Sequence, residues 1–264
     1  MRLSIVNQEL DMAAALLLSK LNPLQLVSCK IMDYSKGSEG CSPVKKLLLG
    51  KENLETLHLA CTARDHAIPE NETQPNERMP AVKELVLRDY KWNHSPTTAV
   101  KFWNWSKITH LELCRVPLVP FLTTVKPEHL IHLRTFKTDG FCPDTHLTNG
   151  RCSLLCELLY GIKALENLSM SLRWKGVDEN MKEQLVRAIS RHGTSLRYLE
   201  FGEQKDFSEL IIHIPSNPTQ MNYVAELKLW LTNVVELTLD NATIQIEKQV
   251  SMTQEHRTEP ILMP

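Results

Sequence analysis

Long apolar runs, a strong net charge and the common catalytic motifs are all missing from this chain of 264 residues. The longest strictly apolar run, 12–18, is well short of the ~20 residues that a membrane helix needs, so we expect no membrane span. A formal net charge of −1 gives no general attraction to phosphate, which disfavours nucleic-acid binding. We find no signal peptide. The 42% apolar content is enough for a core and excludes wholesale disorder.

The absence of catalytic motifs points away from enzymes. The sequence has no GxSxG elbow, no GxxxxGK[ST] phosphate loop, no GxGxxG and no HExxH. We therefore expect a non-enzymatic protein with no catalytic residues, no cofactor and no metal.

Cysteine usage bears on the compartment. Seven cysteines, an odd number in a long chain, are not typical of a disulfide framework. Reduced thiols are typical of intracellular proteins. We therefore predict a cytoplasmic or nuclear location.

Six potential zinc ligands fall close together in the sequence, and they leave two interpretations. They are His129, His132, Cys142, His146, Cys152 and Cys156. Zinc binds four nitrogen or sulfur ligands in a tetrahedron, which such a set can supply. However, Cys152 and Cys156 lie among leucines, where a free cysteine packs as a small core residue. The spacing also differs from the tighter pairs typical of zinc sites, so we favour the core interpretation.

The strongest signal is a repeated six-residue pattern, apolar-x-x-apolar-x-apolar. Its middle apolar positions recur 25 to 38 residues apart, about 29 on average. A period in this range is typical of solenoids, and the alternation that ends each copy is typical of a strand. The clear copies are 54–59, 82–87, 108–113, 165–170, 196–201 and 234–239, with weaker copies at 26–31 and 133–138 and a fragment at 3–5.

The copies predict strands, and the segments between them predict helices. Each helix precedes a strand, as right-handed βα connections require, and all strands should therefore be parallel. Residues 62–80 are polar and are expected to form an exposed loop. The predicted strands are 27–31, 55–59, 83–87, 109–113, 134–138, 166–170, 197–201 and 235–239. The predicted helices are Glu9–Lys20, Pro43–Gly50, Thr97–Lys107, Ser153–Lys163, Asp178–His192 and Gln220–Leu231.

This pattern resembles leucine-rich repeats, whose unit starts L-x-x-L-x-L. The wording of the copies "NLETLHL" and "SLRYLEF" is similar to the repeat regions of F-box proteins, especially the divergent fungal kind. The resemblance implies an α/β horseshoe solenoid with one curved parallel sheet and outer helices. It covers residues 1–245 as one domain of eight to nine irregular repeats, followed by a polar tail at 246–264. The asparagine that usually follows the strand is mostly missing.

The same resemblance implies a role in protein recognition. It suggests the substrate-binding part of an F-box-type ubiquitin-ligase receptor. No F-box is visible, so a Skp1-type adaptor is expected only through an F-box that this sequence does not contain. The alternative is a free-standing inhibitor or scaffold of the ribonuclease-inhibitor kind.

The binding residues are expected on the strands. Side chains that flank each buried pair point to the opposite face, which repeat proteins use as a concave binding surface. The mixed polar character of that face suits a protein or peptide ligand better than a nucleic acid, with Tyr198 as the expected anchor. The candidate residues are Arg88, His110, Glu112, Lys137, Asp139, Asn167, Tyr198 and Glu200.

A cluster of large aromatic side chains, Trp92, Phe102, Trp103 and Trp105, also leaves two interpretations. If three of them belong to one short helix, they cannot all face inward, and one would mark an exposed contact patch. The favoured alternative is that they fill gaps beneath loop 62–80.

Overall fold

All described strands of the protein lie in one sheet, in the order in which they occur along the chain. The structure, a computed structural model, describes residues 2–7, 26–33, 48–49, 51–61, 78–139, 149–171, 178–202, 236–239 and 242–245. Ten strands are found in these ranges. They are β1 (Arg2–Asn7), β2 (Ser28–Asp33), β3 (Thr56–Cys61), β4 (Glu84–Arg88), β5 (His110–Cys114), β6 (Thr135–Thr138), β7 (Asn167–Ser171), β8 (Tyr198–Gly202), β9 (Glu236–Leu239) and β10 (Ala242–Gln245).

Strands β1 to β9 pair in parallel with their neighbours, and the sheet is not closed. The eight predicted strands are all present, and their parallel pairing confirms the predicted α/β class. Strand β10 was not predicted. It pairs antiparallel with β9 across two intervening residues, a length typical of a hairpin.

Two apolar rows run across one side of the sheet. The first row contains the middle apolar position of each copy, and Leu85, Leu111, Phe136 and Leu168 in it are fully buried. The second row carries the last position of each copy, where Thr138 replaces the usual aliphatic residue and is also buried. From the copy at 26–31 to the copy at 165–170, the apolar positions of the pattern are therefore buried as predicted.

The helices pack on the side of these apolar rows, since their buried side chains join the same core cluster. None of the described helices is long and apolar enough to span a membrane. The helices are α1 (Pro96–Phe102), α2 (Leu118–Thr124), α3 (Asn149–Gly161) and α4 (Glu179–Ser190), with short 3-10 turns at Trp105–Lys107 and Pro127–His129.

Helix α4 agrees closely with the sequence prediction. The Asp178 carboxylate caps its first turn by accepting a hydrogen bond from the backbone N–H of Met181 at 2.8 Å. Leu185, Ala188 and Ile189 are buried and form the inward face of the helix. Helix α3 starts four residues earlier than predicted, at Asn149.

The single helix predicted over Thr97–Lys107 is wrong. Helix α1 ends at Phe102, and Trp103 has extended backbone angles. The side chain of Asn104 then accepts a hydrogen bond from the backbone N–H of Ser106, starting a separate 3-10 turn. Asparagine competes with helical hydrogen bonding in this way, and this local capping divides the segment.

Helix α2 was not predicted, because its sequence contains proline. Pro120 occupies its third position, within the first turn, where the backbone N–H has no partner inside the helix. Proline is therefore tolerated there. Phe121 and Leu122 are buried and anchor the helix on the core.

Several predicted segments lie outside the described residues. These are the helices Glu9–Lys20 and Gln220–Leu231, most of Pro43–Gly50, residues 62–77 of the predicted loop, and the tail 246–264. The end of the predicted loop is described, and it is not exposed throughout. Met79 is buried, and its backbone N–H donates a hydrogen bond to the Phe102 carbonyl at 2.8 Å.

Candidate partner-binding face

The side of the sheet opposite the apolar rows carries mostly polar side chains, and we call it the open face. Alternation along each strand assigns its residues, and the parallel pairing aligns them in rows across the strands. All eight predicted binding residues fall on this face. Its members from β3 to β8, including Asp139 directly after β6, are Thr56, His58, Ala60, Glu84, Val86, Arg88, His110, Glu112, Cys114, Thr135, Lys137, Asp139, Asn167, Ser169, Tyr198 and Glu200.

The early half of the open face, on β3 to β5, pairs its charges across neighbouring strands. His58 Nε2 lies 3.0 Å from Glu84 Oε1. Arg88 Nη2 lies 3.6 Å from Glu112 Oε1, and both side chains remain partly exposed. Beneath them Val86 is buried although it points to the open face. The polar groups of this half therefore pair across neighbouring strands, although Arg88 Nε is buried without a hydrogen-bond partner among the described residues.

The late half of the open face, on β6 to β8, is organised by hydroxyl and amide groups. Ser169 Oγ donates to Glu200 Oε2 at 2.7 Å, and the Tyr198 hydroxyl donates to the same oxygen at 2.9 Å. On the adjacent row, Asn167 Nδ2 donates to Thr135 Oγ1 at 3.0 Å. Two of the predicted residues, Tyr198 and Glu200, therefore form one hydrogen-bonded unit.

His110 lies on β5, at the edge of the early half next to the late half, and burial favours its neutral form. Burial lowers the pKa of His110 below its ordinary value; Glu84 opposes this shift, and the ammonium group of Lys137 reinforces it. Its row joins Glu84 on β4 to Thr135 on β6. His110 therefore adds a polar but uncharged group to the face.

Asp139 follows β6 and lies at the edge of the open face formed by the carboxyl ends of the strands. Its Oδ1 accepts a hydrogen bond from the backbone N–H of Arg115 at 2.7 Å, and its Oδ2 accepts one from the Cys114 thiol at 3.0 Å. Arg115 in turn makes a two-pronged ion pair with Asp89. Sequence reasoning missed Asp89 and Arg115, although both directly follow the last residue of a strand. That shared offset is the signal that would have identified them.

The cysteines of the suspected zinc cluster that the structure describes belong to the core. Cys152 and Cys156 are buried one turn apart on helix α3. The hydrogen bond that the Cys156 thiol donates to Cys152, together with burial, raises the pKa of Cys156. Cys142 and His146 lie outside the described residues. Among the residues that the structure describes, no three His, Cys, Asp or Glu side chains are arranged to hold a metal ion.

The aromatic cluster is internal, so the interpretation as an exposed contact patch is wrong. Trp92, Phe102, Trp103 and Trp105 are all buried. They can all face inward because Trp103 and Trp105 lie beyond the end of helix α1. Further contacts come from Tyr90, His94 and Phe121.

The open face is therefore the surface of the described chain on which the predicted binding residues come together. No protein-family model matches the chain, and neither does any curated protein or solved structure.

Proposed function

We propose that the chain is a leucine-rich-repeat solenoid and that its open face binds a protein partner. One observation carries the proposal. Polar and charged side chains lie in continuous register across six consecutive parallel strands, from β3 to β8, with the apolar rows and helices on the other side. A regular face of this kind is the usual binding surface of repeat proteins.

The chemistry of the face supports a polypeptide ligand. Its charged side chains include both signs, since Glu84, Glu112 and Glu200 accompany Arg88 and Lys137. Phosphate backbones would be repelled by the carboxylates, whereas a protein surface can match both signs. We propose a recognition role without catalysis, in the cytoplasm or nucleus.

The resemblance to F-box repeat proteins supports a narrower role. In that role the open face binds the protein to be ubiquitinated, and a Skp1-type adaptor binds an F-box outside this sequence. The repeat sequences "NLETLHL" and "SLRYLEF" support this role.

Affinity purification from cells that express tagged versions of the full-length protein tests both the binding role of the open face and the narrower ligase role. The wild type is compared with the double variant Lys137→Glu/Tyr198→Ala on the open face. The control is Lys182→Ala/Arg187→Ala on helix α4, where alanine preserves the helix. Tyr198→Ala is expected to weaken binding by more than ~1 kcal/mol, the usual threshold of a hot spot.

The expected result is a set of proteins retained by the wild type and the α4 control but lost from the open-face variant. Loss from the α4 control with retention by the open-face variant would place the binding surface on the helices. Recovery of a Skp1-type adaptor with the full-length protein supports the ligase role. Stable partners without any adaptor favour an inhibitor or scaffold.

A further inference from the structure

The charged side chains of the open face divide into a group that pairs across neighbouring strands and a group that forms no ion pair within the described residues. On β3 to β5, His58 pairs with Glu84 and Arg88 pairs with Glu112. On β6 to β8 the charged side chains are Lys137 and Glu200; Asp139, which follows β6, already accepts hydrogen bonds from Cys114 and Arg115. Within the described part of the chain, neither Lys137 nor Glu200 forms an ion pair.

The Glu200 carboxylate is oriented to accept a further hydrogen bond from a ligand. Ser169 Oγ and the Tyr198 hydroxyl both donate to its Oε2, at 2.7 and 2.9 Å. These bonds orient the carboxylate but do not neutralise it, since both donors are uncharged hydroxyls. Its second oxygen, Oε1, makes no hydrogen bond to a described residue. A guanidinium or ammonium group is the natural donor for a carboxylate oriented in this way.

Lys137 lies in one row between Glu112 on β5, whose carboxylate is paired with Arg88, and Glu200 on β8. It is level with Ser169 on the next strand, and Ser169 is level with Glu200 on the strand after that. Two strand spacings separate their backbones, about 10 Å. The two side chains form no ion pair with each other, and salt weakens any longer-range attraction between them.

We propose that Lys137 and Glu200 together recognise one polypeptide segment by its charged side chains. We call this pair of residues the charge reader. The segment offers a carboxylate to Lys137 and a basic side chain to Glu200, which project from strands about 10 Å apart. The inference rests on the proposed function and narrows it, because it assigns recognition to β6–β8. Ser169 and Tyr198 are positioning residues that keep Glu200 oriented.

The proposal is tested with a phage library of random 12-residue peptides, selected on the immobilised full chain. Selected peptides are expected to share one acidic and one basic residue at a constant separation. The strongest is synthesised and titrated by calorimetry. Lys137→Glu and Glu200→Lys should each weaken its binding at least about tenfold, since each places like charges opposite one another.

Charge exchange then tests direct contact. Replacing the acidic residue of the peptide by lysine should restore binding to Lys137→Glu and weaken binding to the wild type. Matched reversals at exposed positions off the open face, Lys163→Glu and Glu52→Lys, should bind as the wild type does. Glu200→Gln keeps the side-chain shape and Lys137→Met keeps most of its unbranched length, so these variants remove each charge with little change in packing.

The outcomes separate this inference from the broader proposal. Selected peptides without an acid–base pair, or wild-type affinity in Lys137→Glu and Glu200→Lys, overturn the charge reader. If Arg88→Gln/Glu112→Gln then weakens binding, the open face remains the binding surface and only the inference fails. If no open-face variant affects binding, or no peptide is selected, both proposals fail.

Discussion

Asp89 and Arg115 occupy the same position in successive repeats and bind each other. Each follows the last residue of its strand with a left-handed backbone, at φ values of 54° and 53°. The Arg115 guanidinium makes two hydrogen bonds to the Asp89 carboxylate. Aspartate tolerates this backbone conformation, whereas arginine pays about 1–2 kcal/mol for it. The ion pair therefore joins two turns that have the same unusual geometry.

The backbone strain at Arg115 predicts an unusual order of stability. Arg115→Gly and Arg115→Ala both remove the ion pair, but glycine adopts positive φ freely. We expect the glycine variant to be more stable than the alanine variant by about 1 kcal/mol in urea unfolding. Asp89→Asn is the control, since it removes the charge and keeps a residue that tolerates this backbone. Equal stability of the glycine and alanine variants would show that the left-handed turn is not strained.

Leu111 tests the repeat register. It is fully buried in the first apolar row, so Leu111→Ala should lower the free energy of unfolding by roughly 2–5 kcal/mol. Leu199, near the other end of that row, should respond in the same way. Ile131→Ala is the control, because the Ile131 side chain is exposed and its loss should change stability by less than about 0.5 kcal/mol. Thermal melts that are unchanged in both leucine variants would contradict the register.

His192 should make stability depend on pH. It is buried beneath helix α4, where its Nδ1 accepts the N–H of Leu165 at 3.3 Å and its Nε2 lies 2.9 Å from the Leu159 carbonyl. Burial lowers the pKa of His192, while the bond to the Leu159 carbonyl partly opposes that shift. A protonated Nδ1 could no longer accept the Leu165 hydrogen bond.

The direction of the pH dependence follows from the lowered pKa of His192. The folded state favours neutral His192, so this contribution to stability is fully present above the ordinary value of 6.5 and is lost as the pH falls below it. We expect the urea midpoint to fall between pH 7 and pH 5, and to fall less in His192→Gln. A wild-type and a variant midpoint that decline in parallel would rule out His192 as the source.

Cys114 should be a slow thiol whose reactivity is set by Asp139. Burial, the hydrogen bond to Asp139 and the charge of that carboxylate together raise the pKa of Cys114 to about 11. Because the thiolate is the reactive form, Asp139→Asn should lower this pKa and accelerate alkylation at pH 8. The rate at Cys114 is followed by peptide mass spectrometry, with Cys114→Ser identifying the signal. An unchanged rate would mean that burial alone controls the thiol.

The strands were predictable because one six-residue pattern encodes both a buried row and its register. In the copies from 26–31 to 165–170 the residues at positions 1, 4 and 6 are buried, even where Thr138 replaces an aliphatic residue. Parallel pairing then places Lys137, Ser169 and Glu200 in one row. The open face could therefore be read from the sequence residue by residue.

Other features depend on interactions that a periodic pattern does not contain. Helix α2 was missed because proline breaks a helix when it lies beyond the first turn. Pro120 lies within the first turn, where proline is tolerated. The division of Thr97–Lys107 depends on one side-chain cap, at Asn104. The charge pairing of the open face depends on rotamers, since register alone does not determine that Arg88 reaches Glu112 while Lys137 has no described carboxylate partner.

The buried aromatic cluster gives the protein a local optical reporter. Of the five tryptophans in the sequence, Trp92, Trp103 and Trp105 have ring centroids within 5.8–6.1 Å of one another. Indoles this close exchange excitation energy and couple in the near-ultraviolet, so their emission and circular dichroism describe the β4–β5 neighbourhood. Strands in this sheet pair only with neighbours in chain order, which permits piecewise melting. If the tryptophan signal changes before or after the far-ultraviolet signal during unfolding, the β4–β5 neighbourhood opens at a different stage from the rest of the sheet.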